Sequence, residues 1–153
     1  MNLFYLITTL LVLYGFVAMV GVHTGMNYPN SRTAISTSLG TVFFLFAGIA
    51  SCMWMMIAFS GSFQAQLQPF LAFMIGGGIG LYFGLGARNP SKAIGAASFL
   101  LPLATFYAVT SMLLGQPHLV FVSMCGIYGF TIVAMLIPAI DEFDVATGRT
   151  TAD

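Results

Sequence analysis

Residues 119–140, LVFVSMCGIYGFTIVAMLIPAI, run without one charged side chain. A helix rises about 1.5 Å per residue and the hydrocarbon of a bilayer is about 30 Å thick, so roughly 20 such residues cross it. The apolar residues are continuous rather than alternating in steps of two, which points to a helix and not to a strand of a membrane barrel. Four more stretches toward the N-terminus have the same character: Leu3 to Val22, Ala34 to Phe59, Phe70 to Ala87 and Ala93 to Leu114. The expected fold is an all-α polytopic integral membrane protein with five transmembrane helices. They form a single domain over residues 1–140, followed by a short acidic tail at 141–153.

Composition agrees with that reading. Of 153 residues, 59% are apolar and only 5% are charged, against about 25% charged in an ordinary soluble domain. Too few polar side chains exist to cover a surface facing water, so the lipid bilayer is the expected environment, in the cytoplasmic (plasma or inner) membrane. Four Lys and Arg balance four Asp and Glu, with no basic run, which excludes nucleic acid as a partner. Cys52 and Cys125 lie inside apolar stretches, where cysteine behaves as a small hydrophobe rather than as half of a disulfide.

Orientation follows from the cations. Arg32 falls in the first connection, Arg88 and Lys92 in the third and Arg149 in the tail, while the second and fourth connections have none. Short cytoplasmic loops retain Lys and Arg, so the N-terminus is expected outside and the C-terminal tail in the cytoplasm. The first apolar run lacks a basic start and has the length of a span, so it reads as a helix rather than a signal sequence.

Ionisable residues inside spans usually mark proton relays, and the four acids, Asp141, Glu142, Asp144 and Asp153, all follow the last span. A proton-coupled carrier is therefore disfavoured. His23 and His118 are expected near opposite membrane faces, too far apart to share a haem, as interfacial residues bonded to water or headgroups. Cys52 and Met56 share a helix face at i, i+4, a spacing compatible with Cu(I), but no second sulfur cluster is near in sequence, and packing is the simpler role. No metal site and no cofactor are expected. Trp54 and Phe59 suit the aromatic belt at a membrane face.

Gly76, Gly80 and Gly84 repeat at four and make a smooth stripe against which another helix, in this chain or a second copy, can pack; three adjacent glycines can also act as a hinge. Gly78 and Gly80 are followed by Phe83 where a dinucleotide loop needs glycine. Pro102 and Pro138 each remove one backbone hydrogen bond inside a span. With Pro102, the hydroxyl residues Ser98, Thr105, Ser111, Tyr128 and Thr131 are candidate pathway-lining residues. No catalytic residue is assigned, because no nucleotide-hydrolysis, zinc-protease or serine-hydrolase motif occurs.

The stretch Asn30-Ser31-Arg32-Thr33-Ala34-Ile35-Ser36-Thr37-Ser38-Leu39-Gly40 resembles the segment that opens the third helix in permeases of type-2 ATP-binding-cassette (ABC) exporters. The stretches Ser60 to Leu67 and Glu142 to Thr151 are similar to later parts of the same family. Six helices form that family's core, so this chain would correspond to the last five, a truncated or split permease subunit. The resemblance implies a separate ABC ATPase subunit as partner, with the segment from His23 to Thr33 as the coupling loop and Asn30, Ser31, Arg32 and Thr33 at its contact. The chain is expected in a homodimer or a heteromeric membrane complex. The alternative is a small structural or accessory subunit of a larger membrane complex, such as a respiratory one. A polar face lining a cavity would favour transport, and continuous packing the accessory role.

Overall fold

A computed structural model describes residues 3–59, 61–86 and 90–146, and every long element in it is a helix, with no strand among the described residues. Five helices are long and apolar enough to cross a membrane: α1 (Leu3–Asn27), α2 (Ser31–Ala58), α3 (Phe63–Leu85), α4 (Lys92–Leu113) and α5 (Pro117–Asp141). Helical backbone continues past α5's apolar part to Ala146, so the first residues of the acidic tail extend the last helix. Arg88, Arg149 and residues 147–153 lie outside the described residues.

Local chemistry sets the helix ends. The Asn30 side chain accepts from the Arg32 backbone N–H at 3.1 Å and opens α2. Ser62 does the same for Ala65 at 3.2 Å in α3, and Ser91 for Ile94 at 3.0 Å in α4. Each cap satisfies a donor that the first turn leaves without an intrahelical partner. α4 closes at Gly115, whose φ of +71° suits glycine. There the Gln116 N–H reaches the Ser111 carbonyl at 2.9 Å and the Gly115 N–H reaches Met112 at 3.1 Å, the paired bonds of a left-handed helix stop. Pro117 then starts α5 at a position where its missing N–H costs nothing.

α3 begins at Phe63, seven residues before the expected Phe70, because the Ser62 cap draws the polar FQAQLQ segment into the helix. Pro69 is accommodated inside it. Three helices contain a five-residue π turn, at Phe44–Gly48 in α2, Ala72–Gly76 in α3 and Met124–Tyr128 in α5. A π turn inserts one residue and so rotates every later side chain by about 100° relative to an unbroken helix.

Each helix packs on its chain neighbours, α5 returns to lie against α1, and α4 is the most enclosed. Phe16 of α1 meets Tyr128 of α5 edge to face, with ring centroids 4.8 Å apart. Leu45, Leu85, Leu101 and Met135 complete a buried centre. The outside carries Phe43, Trp54, Ile57, Phe83 and Val133, all exposed. Contiguous apolar surface on that scale suits a lipid environment.

Candidate functional site

The five hydroxyl residues expected along a pathway are in the interior of the bundle as packing, and of them Thr105 and Tyr128 are in contact. Ser98, Thr105, Ser111, Tyr128 and Thr131 are all buried. Ser98 donates to the Ile94 carbonyl at 2.8 Å, Thr105 to Leu101 at 2.7 Å and Thr131 to Ile127 at 2.7 Å, each reaching back one turn. Tyr128 lies 2.6 Å from the Thr105 hydroxyl. Thr105 has already spent its one proton on Leu101, so Tyr128 is the donor. None of the five lines the grooves at the α2–α3 cleft, the α1–α5 end, the α1–α2 corner or the α3–α4 end.

The expected coupling loop has a different form. His23 to Asn27 are the last residues of α1, and Ser31, Arg32 and Thr33 are the first turn of α2, leaving only Tyr28, Pro29 and Asn30 between helices. Pro29 lacks an N–H and disfavours helical backbone before it, so α1 stops there. The corner is tight, and Asn30, Ser31, Arg32 and Thr33 are exposed on it.

His23 is not at an interface with water or headgroups, as its place in the sequence suggests. It is 3% exposed, and its Nε2 lies 2.7 Å from the Leu85 carbonyl. A carbonyl only accepts, so Nε2 carries the proton. The Asn27 side-chain amide is 2.8 Å from the same nitrogen; with its oxygen turned inward it shares the single Nε2 proton with the Leu85 carbonyl, an orientation set by the bonding network. Tyr28 donates to the neighbouring Gly84 carbonyl at 3.0 Å. Carbonyls in the last turn of a helix have no intrahelical donor, so His23 of α1 and Tyr28 of the corner after it close the open end of α3. No local pattern announces this, since the partners are 62 and 56 residues apart.

These bonds place the α1–α2 and α3–α4 connections at one end of the bundle. At the other end Tyr5 meets Phe121 at 5.0 Å between centroids, close in sequence to the exposed His118. The two histidines are thus at opposite ends, as expected. No group of three His, Cys, Asp or Glu gathers among the described residues. Cys52 is fully buried, with its thiol 3.8 Å from the Pro69 carbonyl at the α2–α3 contact.

The glycines divide by role. A Cβ on Gly77 would run into the Phe44 ring, and one on Gly78 into Phe99. Those are the positions where α2 and α4 approach α3 closely. A Cβ on Gly76 or Gly80 would have nothing within 4 Å, and one on Gly84 would meet only Thr37 at 3.4 Å. The stripe Gly76, Gly80, Gly84 therefore lines an open groove instead of seating a helix of this chain. Comparison with protein-family models, curated proteins and solved structures gave no match.

Proposed function

We propose that this chain is a small structural or accessory subunit of a larger membrane complex, with no conduit through its own bundle and no catalysis of its own. The observation that carries this reading is the state of Ser98, Thr105, Ser111, Tyr128 and Thr131, which are buried, four of them with hydroxyls turned onto helix carbonyls or each other. A polar path through hydrocarbon needs such groups facing a water-filled space. Here the Tyr128–Thr105 bond joins α5 to α4, while Ser98, Thr105 and Thr131 bond back within their own helices. The proposed location is the plasma or inner membrane, with the N-terminus outside and the C-terminal tail in the cytoplasm, because Arg32 and Lys92 sit at the same end of the bundle.

The exposed corner at Asn30, Ser31, Arg32 and Thr33 favours a second reading, a truncated or split permease subunit of an ATP-driven ABC-type exporter docked there to a separate ATPase. The pathway would then form between chains, in a homodimer or heteromer. Purification of the tagged chain from its native membrane in mild detergent, followed by identification of bound proteins and an absorption spectrum, separates the two. Stoichiometric membrane subunits, with or without haem absorbance, support the accessory role. An ATPase carrying GxxxxGK[ST] that is lost on Arg32→Glu overturns it in favour of the permease, and a chain that purifies alone removes both.

A further inference from the structure

α2 and α3 pack closely where Cys52 meets Pro69 and touch little toward their other ends. Between them lies a groove of about 460 Å³, walled by Thr37, Gly40 and Thr41 on one side and by Gly76, Gly80 and Gly84 on the other, and its described lining residues carry no charge. Residues four apart share a helix face. A row of glycines on α3 therefore faces a row of threonines on α2, Thr33, Thr37 and Thr41, of which Thr33 is one turn beyond the lining. Gly84 is level with Thr37, since a Cβ on the glycine would be 3.4 Å from the Thr37 methyl group.

The threonines are a second, independent observation. Thr24, Thr105, Thr110 and Thr131 each donate to a carbonyl of the preceding turn. Thr33, Thr37 and Thr41 make no hydrogen bond among the described residues. Thr41 is only 5% exposed and lines the groove. No polar side-chain atom among the described residues is both sealed off and unbonded, so the Thr41 hydroxyl opens into the groove. A hydroxyl left unpaired in hydrocarbon is costly, and an occupant that supplies an acceptor removes that cost.

Depth narrows the choice of occupant. Thr41 is ten residues past Ser31, about 15 Å along the helix axis, which is half of the roughly 30 Å of hydrocarbon. The ester and phosphate groups of a lipid stay at the membrane surface, and its tail has no acceptor. A helix brings backbone carbonyls and side chains to that depth, and small and hydroxyl residues are those at which membrane helices meet. A hydroxyl both donates and accepts, so the threonine row is its own complement across a two-fold axis. Uncharged walls bring no like charges together when the patch meets itself.

We propose that the occupant of the α2–α3 groove is α2 of a second copy of this chain. A two-fold axis along the membrane normal relates the copies, and the threonine row of each lies in the cleft of the other. Thr41 there donates to an acceptor on the facing α2, and Gly76, Gly80 and Gly84 let the backbones approach closely. The contact needs neither an ATPase nor another subunit, so it goes beyond both readings of the function and stands apart from them.

The test is resonance energy transfer between two pools of the full chain, labelled at the C-terminus with donor and acceptor fluorophores and mixed in phosphatidylcholine vesicles. Transfer is expected at dilutions where random proximity gives none, with the acceptor dependence of a pair. Gly80→Leu fills the groove and should raise the dissociation constant at least about tenfold, while Gly126→Leu on α5, also open-faced, leaves it unchanged. Thr41→Val, nearly isosteric, removes two bonds per dimer and should weaken association about three- to tenfold. As single chains in excess detergent both variants should melt like the wild type, because one chain alone neither fills the groove nor bonds Thr41, and this separates lost association from a lost fold. Absence of transfer in the wild-type chain, or wild-type association in both Gly80→Leu and Thr41→Val, overturns the proposal. A chain that shows no transfer but loses a native-membrane subunit on Gly80→Leu also overturns it, and gives the groove to a helix of that subunit.

Discussion

Tyr128 donates to Thr105 across 2.6 Å, and Thr105 passes its own proton to the Leu101 carbonyl at 2.7 Å. The relay joins α5 to α4 with no donor left over. Its position beneath the Phe16 ring, at the centre of the bundle, makes it the best polar test of the packing.

Tyr128→Phe keeps the ring and removes one interhelical hydrogen bond, which inside membranes is worth about 0.6 kcal/mol on average. Tyr128→Ala also opens a cavity and should cost about 3–5 kcal/mol. Thermal unfolding in detergent should therefore rank wild type, Phe and Ala in that order with unequal steps. Equal losses for the two variants would show that the hydroxyl, not the ring, holds α5.

His23→Leu leaves the Leu85 carbonyl without its donor and should destabilise the bundle by about 1–3 kcal/mol. Tyr28→Phe removes the companion bond to Gly84. Both variants detach the same helix end, so the double variant should lose less than the sum of the single losses. Strict additivity in unfolding measurements would mean that the two bonds act independently.

Gly77→Ala forces the Phe44 ring to move and should cost about 1–3 kcal/mol. Gly80→Ala projects into the open groove, and its melting temperature should equal that of the wild type. The reverse order would place the close helix contact on the stripe that repeats at four.

Gly115→Ala puts a Cβ on a residue with φ of +71°, a conformation that costs an L-residue about 1–2 kcal/mol. Gly115→Asn should be milder, since asparagine tolerates left-handed backbone. Nothing lies within 4 Å of the new methyl group, so backbone strain alone is measured. A neutral Ala variant would show that the α4–α5 turn adopts another shape.

Hydropathy makes the five spans readable because lipid demands a long run of apolar residues whatever the neighbouring helices do. It places the start of α3 too late, since Gln64, Gln66 and Gln68 count as polar connection although Ser62 carries the cap. Gly76, Gly80 and Gly84 do share one face, but the close contacts fall on Gly77 and Gly78. A π turn ends at Gly76 and rotates the residues after it. His23 carries no local sign of its partner, because the Leu85 carbonyl is a backbone atom that any residue at that position would supply.

The order of residues alone determines the count of apolar spans, the end of the bundle that holds Arg32 and Lys92, and the separation of the two histidines. Each follows from chain order and solvent preference, which are additive along the chain. The packing of the helices decides which way the hydroxyls of Thr105, Tyr128 and Thr131 point and which glycines touch a neighbour. It also decides that Thr41 lines the α2–α3 groove, while Thr24, Thr105 and Thr131 donate to the preceding turn. In a chain that is apolar on every side the hydrophobic pattern does not distinguish a helix's inner face from its lipid face. Side-chain shape and hydrogen bonds between distant residues make that choice.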